Sequence, residues 1–119
     1  MKIKRFEDLE CWQQTRLLTK MVYDLVKQEE FAKDYRLGDR TTGAAISAMN
    51  SIVEGFDSPL DKEFVRFLGY TRRSASEVQS CLYVVLDQGY IVQAQFNQVY
   101  QQVGKTRQAT DGFIRYLRK

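Results

Sequence analysis

Histidine is absent from this sequence, so the side chains that can carry charge at neutral pH are those of lysine, arginine, aspartate and glutamate. Without histidine, imidazole-based acid–base catalysis, His-containing zinc sites and the Glu-x-x-His di-iron pattern of helical bundles are excluded. Glu54 and Glu77 are the carboxylates most worth following, but no phosphate-cradling glycine loop accompanies them. Structural hydrogen bonding is the favoured role for both. We therefore expect a non-enzymatic protein with no metal and no cofactor, and a nuclease is the minor alternative.

The two cysteines, Cys11 and Cys81, are far apart in the sequence and form no Cys-x-x-Cys pair. This arrangement favours reduced, buried thiols over a metal site or a redox motif.

Positive charge is the main signal for a partner. Eighteen Lys and Arg against fifteen Asp and Glu give a net charge of +3 and a pI near 8.9, which permits anionic partners. The C-terminal segment is the most basic, since from Gln93 onward its only acid is Asp111. Its candidate phosphate-contacting residues are Lys105, Arg107, Arg115, Arg118 and Lys119. The alternative is a solvated helix face with an ordinary charge surplus.

Two further clusters are weaker candidates for nucleic-acid binding. In the first predicted helix, three basic residues share one helical stripe that an acid interrupts. In the third predicted helix, three arginines lie near a tyrosine that could stack on a base. The first cluster is Arg16, Lys20 and Lys27, and the second is Arg66, Arg72 and Arg73. The arginines of the second cluster could instead pair with carboxylates of a neighbouring subunit. No base-reading motif is present.

The elements that must position these residues are helices, because the chain has one proline and its β-branched residues do not alternate with polar ones. Hydrophobic periodicity predicts four helices in a single domain spanning 1–119, at about 7–28, 39–55, 59–88 and 93–118. Gly38 is the predicted N-cap of the second helix, and Gly55 its left-handed C-terminal residue. Ser58 and Pro59 predict the start of the third helix.

Helices of this length with short connections predict an all-α, antiparallel up-down-up-down four-helix bundle. The predicted inner stripes include Leu60 and Phe67 on the third helix and Val92 on the fourth. Other apolar residues on the first and third helices fall outside the stripes: Trp12, Leu17, Met21, Val65, Leu68, Tyr70, Tyr83, Val84 and Leu86. Because monomers rarely expose large apolar patches, this surplus predicts a homo-oligomer. The alternative is a broader core stripe.

No membrane-spanning segment is predicted, since the longest apolar run is Cys81 to Leu86. Acids at Glu7, Asp8 and Glu10 interrupt the region where a signal peptide would be apolar. A cytoplasmic protein is expected.

Several segments together resemble the four-helix-bundle family of the 23S rRNA intervening-sequence proteins. They are Ser51-Ile-Val-Glu-Gly-Phe56, Glu63-Phe-Val-Arg-Phe-Leu68, Ser74-x-x-Glu77-Val78 and Gly89-Tyr-Ile91, with the opening Phe6-x-Asp8-Leu9-x-x-Trp12-Gln13. They cover nearly the whole chain in the family's order. The resemblance assigns Glu54, Gly55, Ser74 and Glu77 to the family's structural motifs.

Members of this family are similar to the accessory variability proteins of diversity-generating retroelements, which are small basic bundles. The resemblance therefore implies a homopentamer that binds RNA or DNA, and a reverse transcriptase as a further candidate partner. The combined hypothesis is a phosphate-directed accessory protein of an rRNA-insertion or reverse-transcriptase-associated system. The alternative is a protein-interaction scaffold that binds a polymerase-like partner without touching nucleic acid.

Overall fold

The computed structural model describes residues 2–119, and within them the regular structure is entirely helical. The expected all-α class is confirmed. A short 3-10 helix, Phe6–Asp8, precedes five α-helices. These are α1 (Glu10–Val26), α2 (Glu29–Lys33), α3 (Tyr35–Phe56), α4 (Asp61–Asp87) and α5 (Gln93–Leu117).

The four long helices form a square in which α1 and α4 each pack against both α3 and α5. Neighbouring helices run antiparallel, because their contacts run in opposite sequence order. Between α1 and α5, for example, Gln95 Nε2 donates to Gln28 Oε1 and Gln102 Nε2 donates to Gln14 Oε1, at 2.9 and 2.8 Å. The result is a rod of 45 × 22 × 19 Å with its apolar stripes turned inward.

The predicted count of four helices is wrong, because α2 is a fifth helix between α1 and α3. Its Phe31 is buried and stacks on the Tyr90 ring with a centroid separation of 5.5 Å, which fixes α2 against the end of the bundle. This contact joins residues distant in sequence, so periodicity within one segment could not indicate it. The prediction of Gly38 as N-cap is also wrong. Asp34 caps α3 by accepting a hydrogen bond from the Leu37 amide at 3.1 Å.

The predicted start signal of the third helix does not operate. The helix α4 begins at Asp61, with Leu60 in the N-cap position. Ser58 lies two residues before the N-cap position, and its hydroxyl donates to the Glu54 carbonyl at 3.1 Å, at the end of the preceding helix. Asp61 and Glu63 place negative charge in the first turn of α4, where the helix dipole favours it.

The predicted core needs several corrections, beginning with Phe67, which was expected inside and is only half-buried. Leu68, expected on an outer face, is fully buried, whereas Leu60 and Val92, expected inside, are 62% and 64% exposed. Leu60 and Val92 precede the helices to which they were assigned, so the helical stripe does not extend to them.

Fewer apolar side chains are exposed outside the core stripes than the sequence predicted. Of the nine residues placed outside the stripes, only Leu17, Tyr83 and Val84 are exposed. Trp12, Met21, Val65 and Leu86 are half-buried and pack against the core. The broader stripe therefore accounts for much of the surplus.

Gly55 lies within α3 and does not adopt the predicted left-handed conformation. It is required for close approach: a Cβ atom there would lie 2.6 Å from Phe64 Cδ1 and 3.0 Å from Phe67 Cβ, on α4. Gly43, on the same helix, faces open space, with nothing within 4 Å of a built Cβ.

Replacing each glycine by alanine should therefore have opposite effects. We expect Gly55→Ala to lower the free energy of unfolding by about 1–3 kcal/mol through overpacking. Gly43→Ala should raise it by about 0.5–1 kcal/mol, because alanine is the better helix former. Urea denaturation monitored by circular dichroism measures both. A Gly55→Ala protein as stable as the wild type would contradict the close-packing argument.

Both cysteines are free and buried, as predicted. Burial raises the pKa of the Cys11 thiol to about 12, and it also raises the pKa of Cys81. Neither thiol is therefore readily available as a thiolate near neutral pH.

We expect native protein at about pH 8 to react slowly with a disulfide reagent such as DTNB, and denatured protein to react at once with both thiols. The sign of the pH effect follows from the raised pKa. Since the folded state holds the Cys11 proton more tightly, its contribution to stability is complete below about pH 9 and is lost towards pH 12. Rapid labelling of Cys11 in a Cys81→Ser protein under native conditions would argue against this burial.

Candidate nucleic-acid interface

The charge surplus of the chain is confined to its last helix and the two residues that follow it. Residues 93–119 contain five basic residues and one acid, whereas residues 1–92 contain thirteen basic and fourteen acidic residues. All of the net positive charge therefore comes from α5 and the two residues that follow it.

The fold divides the predicted cluster on α5 between two sides of the helix. Arg107 and Arg115 line a depression of about 460 Å³ between α4 and α5, together with Gln79, Gly104, Gln108 and Asp111. We call this depression the α4/α5 groove. Lys105 lies on the opposite side, in a larger cleft of about 600 Å³ between α1 and α5 that also contains Glu10. The groove is the better anion site, because it brings two arginines together, whereas the larger cleft is lined by one lysine and by the acid Glu10.

Two contacts between α4 and α5 determine the electrostatics of the groove. Arg72 Nε pairs with Asp111 Oδ1 at 2.7 Å, so the only acid of α5 is already neutralised. Arg107 is half-buried, and its Nη1 donates to the neutral Gln79 Oε1 at 3.1 Å. Within residues 2–119 neither Arg107 nor Arg115 forms a salt bridge. These two arginines therefore leave uncompensated positive charge in the groove.

The remaining basic residues of the cluster lie at the end of the bundle. Arg118 lines a depression with Lys62 and Asp61 at the start of α4, and Lys119 is exposed beyond the last helix. They extend the positive charge from the groove towards the C-terminus.

The predicted arginine cluster on α4 is split, because consecutive helical residues point about 100° apart. Arg72 faces α5, whereas Arg66 and Arg73 both approach the Tyr70 ring, with guanidinium carbons 5.7 and 5.6 Å from its centroid. Arg66 also donates to Glu63 at 2.7 Å and to the Tyr70 hydroxyl at 2.9 Å, and the Glu63 hydrogen bond raises the pKa of Arg66. Two arginines of the same helix therefore already contact the Tyr70 ring.

The basic stripe of α1 is an exposed outer face with local partners. Arg16 lies over the Trp12 ring at 5.8 Å, and Lys20 pairs with Asp24 at 3.2 Å. Lys27 is exposed at the end of the helix. This stripe is on a different side of the bundle from the groove, since α1 does not pack against α4.

The motif residues hold α3 and α4 together. The Ser74 hydroxyl donates to the Ser47 hydroxyl at 3.2 Å, and the Glu77 carboxylate forms a salt bridge with Arg40 at 3.5 Å. Gly55 admits the Phe64 ring, as described above. Glu54 is exposed, and only its carbonyl oxygen has a described partner beyond the helix.

Sequence reasoning missed several residues of the groove. Gln79 and Gly104 line it, and Tyr83 and Tyr100 continue the same line of contacts between α4 and α5, with centroids 5.9 Å apart. A signal was available: Arg72, Gln79 and Tyr83 are spaced seven and four residues apart, which places them on one helical face. Tyr83 was considered only as an apolar residue.

The fold and this geometry define a small helical bundle with one cationic edge. None of the helices within residues 2–119 combines the length and apolar character needed to cross a membrane. The sequence matches the model of the 23S rRNA-intervening sequence protein family over residues 7–112. The chain therefore belongs to that family, as its motifs indicated. No curated protein matches it significantly.

Proposed function

We propose that this protein is a non-enzymatic accessory factor that binds RNA or DNA through phosphate contacts and serves an rRNA-insertion or reverse-transcriptase-associated system. The observation that carries the proposal is the uncompensated charge of Arg107 and Arg115 in the α4/α5 groove, continued by Arg118. Arginine suits this role because its planar guanidinium donates two parallel hydrogen bonds to a phosphate.

The arrangement favours phosphates over base edges. The groove contains two arginines that pair with no carboxylate among the residues that the structure describes, and its other side-chain donors are the neutral amides of Gln79 and Gln108. Unpaired guanidinium groups suit phosphates, and phosphate contacts position a nucleic acid without reading its sequence. Affinity should therefore depend strongly on salt and weakly on sequence, because each phosphate contact releases a counterion.

Removing four basic residues from the C-terminal part of the chain tests the proposal. We expect Lys105, Arg107, Arg115 and Arg118 changed together to Ala to weaken RNA and DNA binding for every sequence, and to reduce the salt dependence by about 0.7–0.9 log units per lost phosphate contact. Fluorescence anisotropy with labelled oligonucleotides at two salt concentrations measures this. The matched control removes four charges from α1 and α2: Arg16, Lys20, Lys27 and Lys33 changed to Ala. Wild-type protein that binds nothing at low salt would favour the scaffold hypothesis.

Adding charge to the groove provides a complementary test. Asp111→Asn should free Arg72 and tighten binding several-fold, and Asp24→Asn frees Lys20 on the far face and should have little effect. Both ion pairs are exposed, so each change should alter stability by less than about 1 kcal/mol. Equal gains in affinity from both variants would indicate binding through diffuse net charge.

We also propose self-association, with five subunits as the number implied by the resemblance. The exposed Leu17 and Val84 on the outer helices supply apolar surface for it. Light scattering on the purified protein measures the subunit count, and a monomer at working concentration would contradict this part.

A further inference from the structure

The α4/α5 groove belongs to a longer line of paired side chains between the two helices. From one end to the other, Arg72 pairs with Asp111, Gln79 pairs with Arg107, and Tyr83 contacts Tyr100. Seven residues and then four residues of α4 separate these pairs, which corresponds to about 10 and 6 Å along the helix. Two pairs that contain arginine are therefore followed by an aromatic pair along one face, within the length of a few nucleotides.

The aromatic end of this line is a supported and half-exposed ring. Tyr83 is 50% exposed, and its ring rests against Phe96 at 5.0 Å and Tyr100 at 5.9 Å. Phe96 is buried and stacks on Tyr100 at 5.2 Å. The three rings form a firm support beneath the exposed part of Tyr83. The Tyr83 phenol, like any tyrosine with an ordinary pKa of about 10, is neutral at neutral pH and does not repel a phosphate. Hydrogen bonding with Tyr100 raises the pKa of Tyr83 further.

The surface of α5 between the Tyr83–Tyr100 pair and Arg107 is open at Gly104. Gly104 lies three residues before Arg107, and nothing lies within 4 Å of a Cβ built on it. A glycine inside a helix costs about 1 kcal/mol relative to alanine, and here no packing contact requires it. Its effect in the fold is to leave space between Tyr100 and Arg107.

We propose that the α4/α5 face binds a single strand of RNA or DNA, with one base stacked on Tyr83 and the adjoining phosphates held by Arg107 and Arg115. Single strands expose base faces for stacking on aromatic rings, whereas a duplex hides them, so the aromatic end selects single strands. The proposal rests on the proposed function and names its substrate and the residue that selects it. Tyr83 is the specificity residue, and the arginines supply affinity.

The test compares a short single-stranded oligonucleotide with a duplex of the same length, using fluorescence anisotropy. We expect wild-type protein to bind the single strand more tightly. Tyr83→Leu should weaken single-strand binding by about tenfold or more, with little effect on the duplex and none on the salt slope. Tyr83→Phe keeps the ring and should bind like the wild type. Tyr23→Leu, at an exposed tyrosine of α1, is the matched control.

A second variant fills the open surface at Gly104 without changing the charge of the groove. Gly104→Leu adds a side chain at an exposed helical position, so its thermal stability should equal or exceed that of the wild type. Its single-strand affinity should nevertheless fall, because the added side chain occupies the space between Tyr100 and Arg107.

The outcomes separate the two proposals. Wild-type protein that binds neither oligonucleotide at low salt overturns both. Binding that requires the α5 arginines but is unchanged in Tyr83→Leu and Gly104→Leu overturns only the single-strand site. Loss of oligomeric mass in Tyr83→Leu, measured by light scattering, would assign Tyr83 to a subunit contact and also overturn it.

Discussion

Close packing between α3 and α4 determines the rest of the structure. Small residues line the α3 side of this contact, and Gly55 admits the Phe64 ring of α4 into space that any side chain would fill. The buried Thr71 hydroxyl donates to the Ala48 carbonyl at 3.0 Å, and Ser74 bonds Ser47 on the same side. Together these contacts set both the distance between the helices and the rotation of α4 about its axis.

That rotation decides which residues face α5. A turn of α4 by one residue would replace Arg72 with its neighbour Arg73, since consecutive side chains point about 100° apart. With α4 held by Thr71 and Ser74, the side chains of Arg72, Gln79 and Tyr83 all point towards α5. The candidate interface is thus a consequence of packing on the other side of the same helix. Small residues on α3, which contact nothing in the groove, are required to build it.

Sequence periodicity predicted the long helices well, because their apolar residues repeat at helical spacing. It failed where a helix boundary depends on a contact between residues distant in the sequence, or on where a capping side chain lies relative to the helix. Ser58 has the right chemistry for an N-cap, but α4 begins three residues later, and the Ser58 hydroxyl donates to the Glu54 carbonyl near the end of α3. Phe31 could not be recognised as the anchor of a fifth helix without its partner Tyr90. Leu68 was placed outside because Phe67 was assigned to the stripe one position too early.

The charge of the candidate site could be read from the sequence, but its geometry could not. Counting charges located the surplus on α5 correctly. However, whether a given arginine is neutralised depends on the neighbouring helix, and only the fold shows that Asp111 serves Arg72 while Arg107 faces a neutral amide. An arginine that is half-buried beside Gln79 has lost part of its hydration and has no carboxylate to compensate for it. A phosphate would supply the missing negative charge, and the same desolvation would strengthen that contact relative to one with a fully exposed lysine. The electrostatics of the groove therefore favour Arg107 over the exposed basic residues of α1, a preference that the sequence indicates only through the greater charge surplus of the C-terminal segment.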